Sequence, residues 1–155
     1  MLFRSGRDIE RNGTVLQLST MSAELVFPCA DGEVVLIATT GTLQGIIPWM
    51  VDSGVITPEW AAKEDWNSYE ARMLTAADLA HSVEDVREAI KHFTLRHTKA
   101  ELFAGGLARD INIAPVNTAA DVLAFDHLTV RQYWESVTLD DGRPLRAAGP
   151  FVKAS

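Results

Sequence analysis

The chain of 155 residues has a single cysteine, Cys29, which excludes an internal disulfide framework and a four-thiolate zinc site. Basic residues are also scarce, since 14 Lys and Arg stand against 21 Asp and Glu for a net charge of −7. Nucleic-acid binders neutralise phosphates with Lys and Arg, so we expect no nucleic-acid partner. No apolar run approaches the ~20 residues of a membrane helix, and no secretory apolar segment opens the chain. These absences predict a cytoplasmic protein without a membrane partner.

Recognisable metal, nucleophile and phosphate-binding motifs are missing as well. The four histidines do not form a His-Glu-x-x-His pattern, and His92 and His97 would lie about 140° apart on a helix. We therefore predict no metal site and interpret the histidines as solvated or as caps at helix C-termini. Cys29 lies in an apolar strand, which favours a structural role. The segment 39–45 lacks the lysine of a P-loop, but Thr40 and Gly41 could bring backbone N–H groups to an anion at a helix N-terminus. The histidines are His81, His92, His97 and His127.

What the sequence does contain predicts a mixed α+β fold with strands at its two ends. Asp31-Gly32 between two apolar runs indicates a β-hairpin of strands 25–29 and 33–38, the second covered on both faces. A helix is predicted over 43–51 and a short strand over 111–113, ended by Pro115. A further strand is predicted over 133–139, followed by a turn at 140–142 and a partner strand near Leu145. Five residues have the pattern of helix N-caps: Thr57, Thr75, Ser82, Thr98 and Thr118.

The two ends of the chain and its tryptophans indicate that this sequence is part of a larger protein or assembly. Residues 1–18 are polar and without clear periodicity, and the strand-like stretch that begins at Gly149 stops at Ser155. We therefore expect the chain to be incomplete at both ends. The tryptophans are expected in a core or an interface rather than in a ligand platform. They are Trp49, Trp60, Trp66 and Trp134.

Five stretches, taken in order, resemble the class III CoA-transferases of the CaiB/BaiF type, the group of carnitine and formyl-CoA transferases and α-methylacyl-CoA racemases. The first is similar to a family hairpin with an Asp-Gly turn. The second resembles a helix junction with a Thr-Lys-x-Glu core, and the third a Pro-Val-Asn-Thr motif. The fourth is similar to an Asp-x-x-Leu-x-x-Arg motif and the last to a Gly- and Pro-containing segment that ends in Lys-x-Ser. The stretches are 26–37, 93–102, 113–123, 126–131 and 149–155.

The resemblance implies a fold and a domain division. Family members have a large Rossmann-like domain built from both chain ends, with a small domain inserted between them, and two chains interlock. On that basis residues 1–24 would be a lead-in from the large domain, 25–125 the small α+β domain, and 126–155 the start of the return to the large domain. The parent would be a homodimer or a pair of related subunits.

The resemblance also implies an activity. An aspartate of the large domain would attack an acyl-CoA thioester and pass through an anhydride to an aspartyl-CoA thioester, transferring CoA to a carboxylic acid. That aspartate is expected upstream of this segment, so no catalytic residue is assigned here and the segment alone is expected to be inactive. The substrates would be an acyl-CoA and a carboxylic acid, without a covalently bound cofactor. An active-site loop of the family corresponds to residues 12–17, which makes Gly13 and Gln17 candidate CoA contacts beside Thr40 and Gly41.

Two other interpretations stay open on the sequence. The parent could be an α-methylacyl-CoA racemase, which does proton chemistry next to the thioester carbonyl. Alternatively, the chain could be a non-enzymatic α+β module that binds a partner protein through its tryptophan-bearing face.

Overall fold

A computed structural model describes residues 15–17, 22–75 and 77–150. These residues fall into two compact units, one up to Val116 and one from Asn117 onward. Helices and antiparallel strands are mixed in both, which confirms the α+β class. The division at 24 and 125 stays a prediction. The elements are β1 (Val15–Gln17), β2 (Ser22–Glu24), β3 (Val26–Cys29), β4 (Gly32–Leu36), α1 (Thr40–Asp52), α2 (Pro58–Ala62), α3 (Tyr69–Leu74), α4 (Val83–Thr94), α5 (Lys99–Ala108), β5 (Ile113–Pro115), α6 (Ala119–Leu123), α7 (Asp126–Val130), β6 (Trp134–Thr138) and β7 (Pro144–Ala148).

A three-stranded antiparallel sheet in the order β3-β4-β5 lies at the centre of the first unit. The predicted hairpin is confirmed: Cys29 pairs with Gly32 across a two-residue turn, and Gly32 has a φ of +152°. The expectation that its second strand is covered on both faces is wrong. Val34 and Leu36 are buried, whereas Ile37 directly after β4 is 49% exposed. A strand formed by an uninterrupted apolar run can therefore still have one solvent-exposed face.

The hydrophobic core of this unit draws on its sheet and on four of its helices. Trp49 of α1 meets Phe93 of α4 edge-on, with ring centroids 4.8 Å apart. Burying each large apolar side chain contributes roughly 1.5–3 kcal/mol before the entropic cost of ordering it. The core side chains are Phe27, Cys29, Val34, Leu36, Leu43, Ile46, Ile47, Trp49, Met50, Tyr69, Val86, Ile90, Phe93, Leu102, Ile111 and Ile113.

Most of the predicted helix starts are correct because a hydroxyl side chain caps each of them. Ser82, Thr98 and Thr118 accept a hydrogen bond from the third helical N–H, and the acid at that position reaches back to the cap N–H. Thr57 caps α2 in front of Pro58. The local sequence alone therefore determines these four boundaries.

Two helices differ from the prediction. α1 begins at Thr40, three residues before the predicted start, and it contains Pro48 in its interior. Thr75 does not open a helix: it closes α3, and its hydroxyl donates to the carbonyl of Ala71. At the start of a helix, a threonine hydroxyl accepts a hydrogen bond from a free N–H. At the end of a helix, the same hydroxyl donates to a free carbonyl. The residue type therefore does not distinguish a helix start from a helix end.

The second unit consists of α6, α7 and the β6–β7 hairpin. The predicted strand and its partner are confirmed, with Trp134 opposite Ala148 and Thr138 opposite Pro144. Every residue from Asn117 to Pro150 keeps part of its surface exposed, so none of the described residues of this unit is fully buried. Exposed large apolar side chains recur along it: Val122, Leu123, Phe125, Val130, Val137, Leu139 and Leu145. Within the described part of the chain, no helix is long and apolar enough to cross a membrane.

Candidate functional site

The N-terminus of α1 carries two of the candidate CoA contacts, Thr40 and Gly41. Thr39 has the extended conformation of an N-cap, but its hydroxyl does not cap the helix. The carboxylate of Glu70 does so instead, because its Oε2 accepts from Thr40 N at 2.7 Å and from Thr40 Oγ1 at 2.9 Å. Gly41 is exposed, and a Cβ added there would meet nothing within 4 Å. This helix end can hold a carboxylate, and an external anion would have to compete with Glu70 for the same donors.

One of the other two candidate contacts lies on β1. Gln17 ends β1, and its backbone pairs with Ser22 of β2. Gly13 lies outside the described residues. The CoA-binding role of all four candidates stays a prediction.

Three of the sequence motifs meet at the central sheet. The turn of the β3–β4 hairpin rests on the α4–α5 junction, where Ala30 N donates to the carbonyl of His97 and Lys99 N donates to Asp31 Oδ1 at 2.7 Å. The third motif joins the same sheet, since β5 pairs with β4 and Val116 N donates to the carbonyl of Glu33. The Asp-Gly turn, the capped junction and the start of the third motif, up to Val116, therefore lie in one structural unit.

Cys29 lies at the end of β3 inside this unit and is buried. Its thiol donates to Asp31 Oδ1 at 3.5 Å. Burial raises the pKa of the Cys29 thiol, which keeps it protonated and poorly nucleophilic. The structural role predicted for Cys29 agrees with this environment.

Glu64 carries the one carboxylate among the described residues that is buried, with 1% of its side chain exposed. It forms an ion pair with Arg72 and accepts from Asp65 N at 2.8 Å through Oε1. Through Oε2 it accepts from Ala80 N at 2.7 Å and His81 N at 3.3 Å. Burial acts to raise the pKa of Glu64, but these hydrogen bonds outweigh it and hold the pKa below its usual range. We refer to this arrangement of Glu64, Arg72 and residues 80–81 as the clasp.

Tyr69 extends the clasp into the core. Its hydroxyl donates to the carbonyl of His81 at 3.1 Å. Burial, followed by the negative charges of Glu64 and Asp85, raises the pKa of Tyr69 to about 12. The phenol therefore stays neutral and acts as a hydrogen-bond donor at neutral pH.

The clasp places a histidine against two aromatic rings. The ring of His81 stacks on Trp60 at a centroid distance of 3.7 Å and lies parallel to Trp66 at 6.0 Å, and its Nε2 donates to the Trp60 carbonyl at 2.8 Å. The expectation of a solvated or capping histidine is wrong for His81, which is buried against two indoles whose positions in the sequence are 15 and 21 residues away. It is correct for His97, whose Nδ1 lies 2.8 Å from the Phe93 carbonyl near the end of α4.

The β6–β7 hairpin of the second unit has a shallow depression of about 460 Å³ lined by both strands. The guanidinium of Arg146 lies over the ring of Trp134, 4.7 Å from its centroid. The indole N–H of Trp134 is buried and has no hydrogen-bond partner within the described residues. This face of the hairpin therefore pairs a cation with an aromatic ring at the surface.

The described residues offer no carboxylate set up for nucleophilic attack. Glu64 has both oxygens occupied by donors, which lowers its nucleophilicity. Asp85 and Glu101 are exposed and accept hydrogen bonds from the N-caps of their own helices, which lowers the pKa of each. Among these residues no three His, Cys, Asp or Glu side chains are grouped to hold a metal ion. No local pattern in the sequence marked Glu64, because its partners other than the adjacent Asp65 N–H lie 8 to 17 residues away.

Comparison with known proteins gives two findings. Over 115 residues the chain is 28% identical to subunit BbsE of succinyl-CoA:(R)-benzylsuccinate CoA-transferase from Thauera aromatica. That match covers 70% of this chain and 26% of the relative, so the chain spans about a quarter of the relative's length. The model of CoA-transferase family III matches residues 3–155. The chain therefore belongs to CoA-transferase family III.

Proposed function

We propose that this chain is the small-domain part of a class III CoA-transferase of the CaiB/BaiF type, in which it helps to cover the acyl-CoA site and to interlock two subunits. The complete protein transfers CoA from an acyl-CoA to a carboxylic acid. The family match over residues 3–155 carries this proposal. The relative supports the transferase branch over the racemase branch, because its name describes CoA transfer.

In the proposed reaction, an aspartate carboxylate attacks the thioester carbonyl, and CoA leaves as a thiolate. The thiolate then attacks the aspartyl carbonyl of the resulting anhydride and releases the donor acid. The acceptor carboxylate attacks the aspartyl-CoA thioester, expelling CoA and forming a second anhydride. CoA attacks the acceptor carbonyl of that anhydride, which releases the new acyl-CoA and restores the aspartate.

The nucleophilic aspartate is proposed to lie outside this chain. Glu64 is not a candidate for the nucleophile, since its four donors leave no free oxygen to attack a thioester. Around the candidate contacts, the α1 end has backbone and hydroxyl donors that suit a carboxylate or phosphate, as the bound Glu70 illustrates. Gly13 and Gln17 are proposed to line the same acyl-CoA site.

The test compares this chain with the complete protein encoded by the reading frame that contains it. Both are incubated with succinyl-CoA and a panel of carboxylic acids that includes benzylsuccinate, and new acyl-CoA products are separated by chromatography. After reaction with the donor alone, peptides are searched by mass spectrometry for a CoA ester on an aspartate. We expect transfer by the complete protein, an adduct outside these 155 residues, and background rates for the chain alone.

Other outcomes contradict the proposal in different ways. Turnover by the chain alone at an ordinary enzyme rate, about 1–10³ s⁻¹, would place the nucleophile here. Loss of stereochemistry in a 2-methylacyl-CoA without CoA transfer would identify the racemase branch. An absence of any reaction with acyl-CoA in both proteins would favour the non-enzymatic interaction module.

A further inference from the structure

We infer that the β6–β7 hairpin carries a binding site for a small oxyanion, a carboxylate or a phosphate, in which Arg146 supplies the charge and Trp134 the inner hydrogen-bond donor. The site lies wholly within the second unit. Its test does not depend on the proposed function.

The strand register gathers the donors of this site on one face of the hairpin. Side chains alternate along a strand, so Trp134 and Ser136 lie on the same face. Arg146 stands directly opposite Ser136 in the register and therefore shares that face. Its guanidinium lies over the Trp134 ring, 4.7 Å from the centroid. A positive charge, an indole N–H and a hydroxyl thus lie side by side on the two strands.

Two of these donors have no acceptor within the part of the chain that the structure describes. Arg146 lies against the Trp134 ring but forms no ion pair with a described carboxylate. The neighbouring Arg143 is different, because its Nε donates to Asp141 Oδ2 at 2.7 Å. The indole N–H of Trp134 is buried and has no hydrogen-bond partner among the described residues. Burying a donor without an acceptor is unfavourable, so this site gains when an acceptor arrives.

The depression between the strands leaves room for such an ion beside the guanidinium. One carboxylate, that of Glu135, also borders it. By alternation, however, Glu135 belongs to the opposite face, and its Oε1 lies 3.2 Å from the position that a Cβ on Gly149 would take. An arginine guanidinium presents two parallel N–H donors, a spacing that matches two oxygens of a carboxylate or phosphate.

The two main donors contribute in different ways. Arg146 is exposed, so water screens its charge and the attraction it exerts on an ion is small. The Trp134 N–H is buried, so a hydrogen bond from it to a charged oxygen is stronger. The long Arg146 side chain can tilt off the ring with the ion, which gives a second oxygen of the same ion access to the indole N–H.

The site is tested on the 155-residue chain by NMR of the indole N–H groups. Sodium phosphate and sodium acetate are titrated in separate series at constant ionic strength, with chloride as the balancing ion. The signal of Trp134, assigned with Trp134→Phe, should move. The signal of Trp66 should stay, because its Nε1 already donates to the Ala61 carbonyl at 2.8 Å.

Variants separate the two donors, with binding followed through the backbone amides of the hairpin. Arg146→Gln should weaken binding about 2- to 5-fold, the range of an exposed ion pair. Trp134→Phe keeps an aromatic ring but removes the inner donor, and it should weaken binding about 10-fold. Arg143→Gln is the matched control, because it removes the same charge from the same hairpin at a guanidinium already held by Asp141. It should bind the ion as the wild type does.

The outcomes decide the proposal as follows. Movement of the Trp134 signal with both ions supports a general oxyanion site, and movement with one ion assigns the site to that ion's class. A Trp134 signal that moves with neither ion overturns the proposal. Equal weakening in Arg143→Gln and Arg146→Gln also overturns it, because unspecific attraction by charge then explains the binding. If Arg146→Gln loses the amide pattern of the hairpin, Arg146→Lys replaces it, since lysine keeps the charge without the planar fork and should also weaken binding.

Discussion

The clasp around Glu64 permits a quantitative prediction about stability. Glu64→Gln keeps the shape of the side chain, but it removes the charge and replaces one accepting oxygen with an NH₂ donor. Arg72 then loses its ion pair in either orientation of the amide. In addition, either Arg72 and Asp65 N or the N–H groups of Ala80 and His81 face an NH₂ donor instead of an acceptor. An unsatisfied buried N–H costs about 1–3 kcal/mol.

The size of the expected stability loss depends on how much of the Glu64–Arg72 pair is accessible to water. Breaking a fully buried pair costs roughly 3–5 kcal/mol. Because 28% of the Arg72 side chain is exposed, its charge regains some hydration and the cost is smaller. We expect the free energy of unfolding to fall by about 2–4 kcal/mol in Glu64→Gln. Glu33→Gln, at an exposed position of β4, is the control and should change it by about 0.5 kcal/mol or less.

The assay is urea unfolding followed by tryptophan fluorescence, which reports on Trp60 and Trp66 beside the clasp. The pKa of Glu64 is lower in the folded protein than in the unfolded chain, so its stabilising effect is complete above the unfolded pKa. The effect is lost as the pH falls through the folded pKa, so the gap between wild type and Glu64→Gln should close there. A gap at neutral pH no larger than that of Glu33→Gln would refute the reasoning.

Three further predictions concern helix packing, alkaline pH and the two units. Gly105→Ala should lower the melting temperature, since its Cβ would lie 2.1 Å from the Trp49 side chain. Gly41→Ala should raise the melting temperature, because space is open there and alanine favours a helix over glycine by about 1 kcal/mol. Equal shifts in the two variants would contradict this prediction. The pKa of Tyr69 is raised on folding, so the contribution of Tyr69 to the free energy of unfolding should be present below pH 10 and decline between pH 10 and about 12. Tyr69→Phe should not show this decline. A chain that ends at Val116 should still unfold cooperatively in circular dichroism, because the buried apolar side chains among the described residues all lie between Phe27 and Ile113. A non-cooperative melt would show that this core needs more of the chain.

Local sequence determined the features whose partners lie within a few residues. The Asp31-Gly32 turn, the Thr57 cap before Pro58 and the capping box at Ser82 each close a hydrogen bond over at most three residues. The chain pays little entropy to form such contacts, so the same residues adopt the same structure in many folds. The order of several such motifs also indicated the family, which the match over residues 3–155 supports independently.

Tertiary structure decided the features that depend on distant partners. Glu64 looks like an ordinary surface acid in the sequence, and only the fold brings Arg72 and residues 80–81 to its oxygens. In the same way, Glu70 reaches the start of α1 across 30 residues, and Arg87 reaches Glu24 across 63. A charged side chain can bind any of several donors, and which of them is close is a property of the packed helices and sheet. Sequence patterns therefore predicted where most of the hydroxyl-capped helices begin, while packing alone determined which polar groups became buried and what they hold.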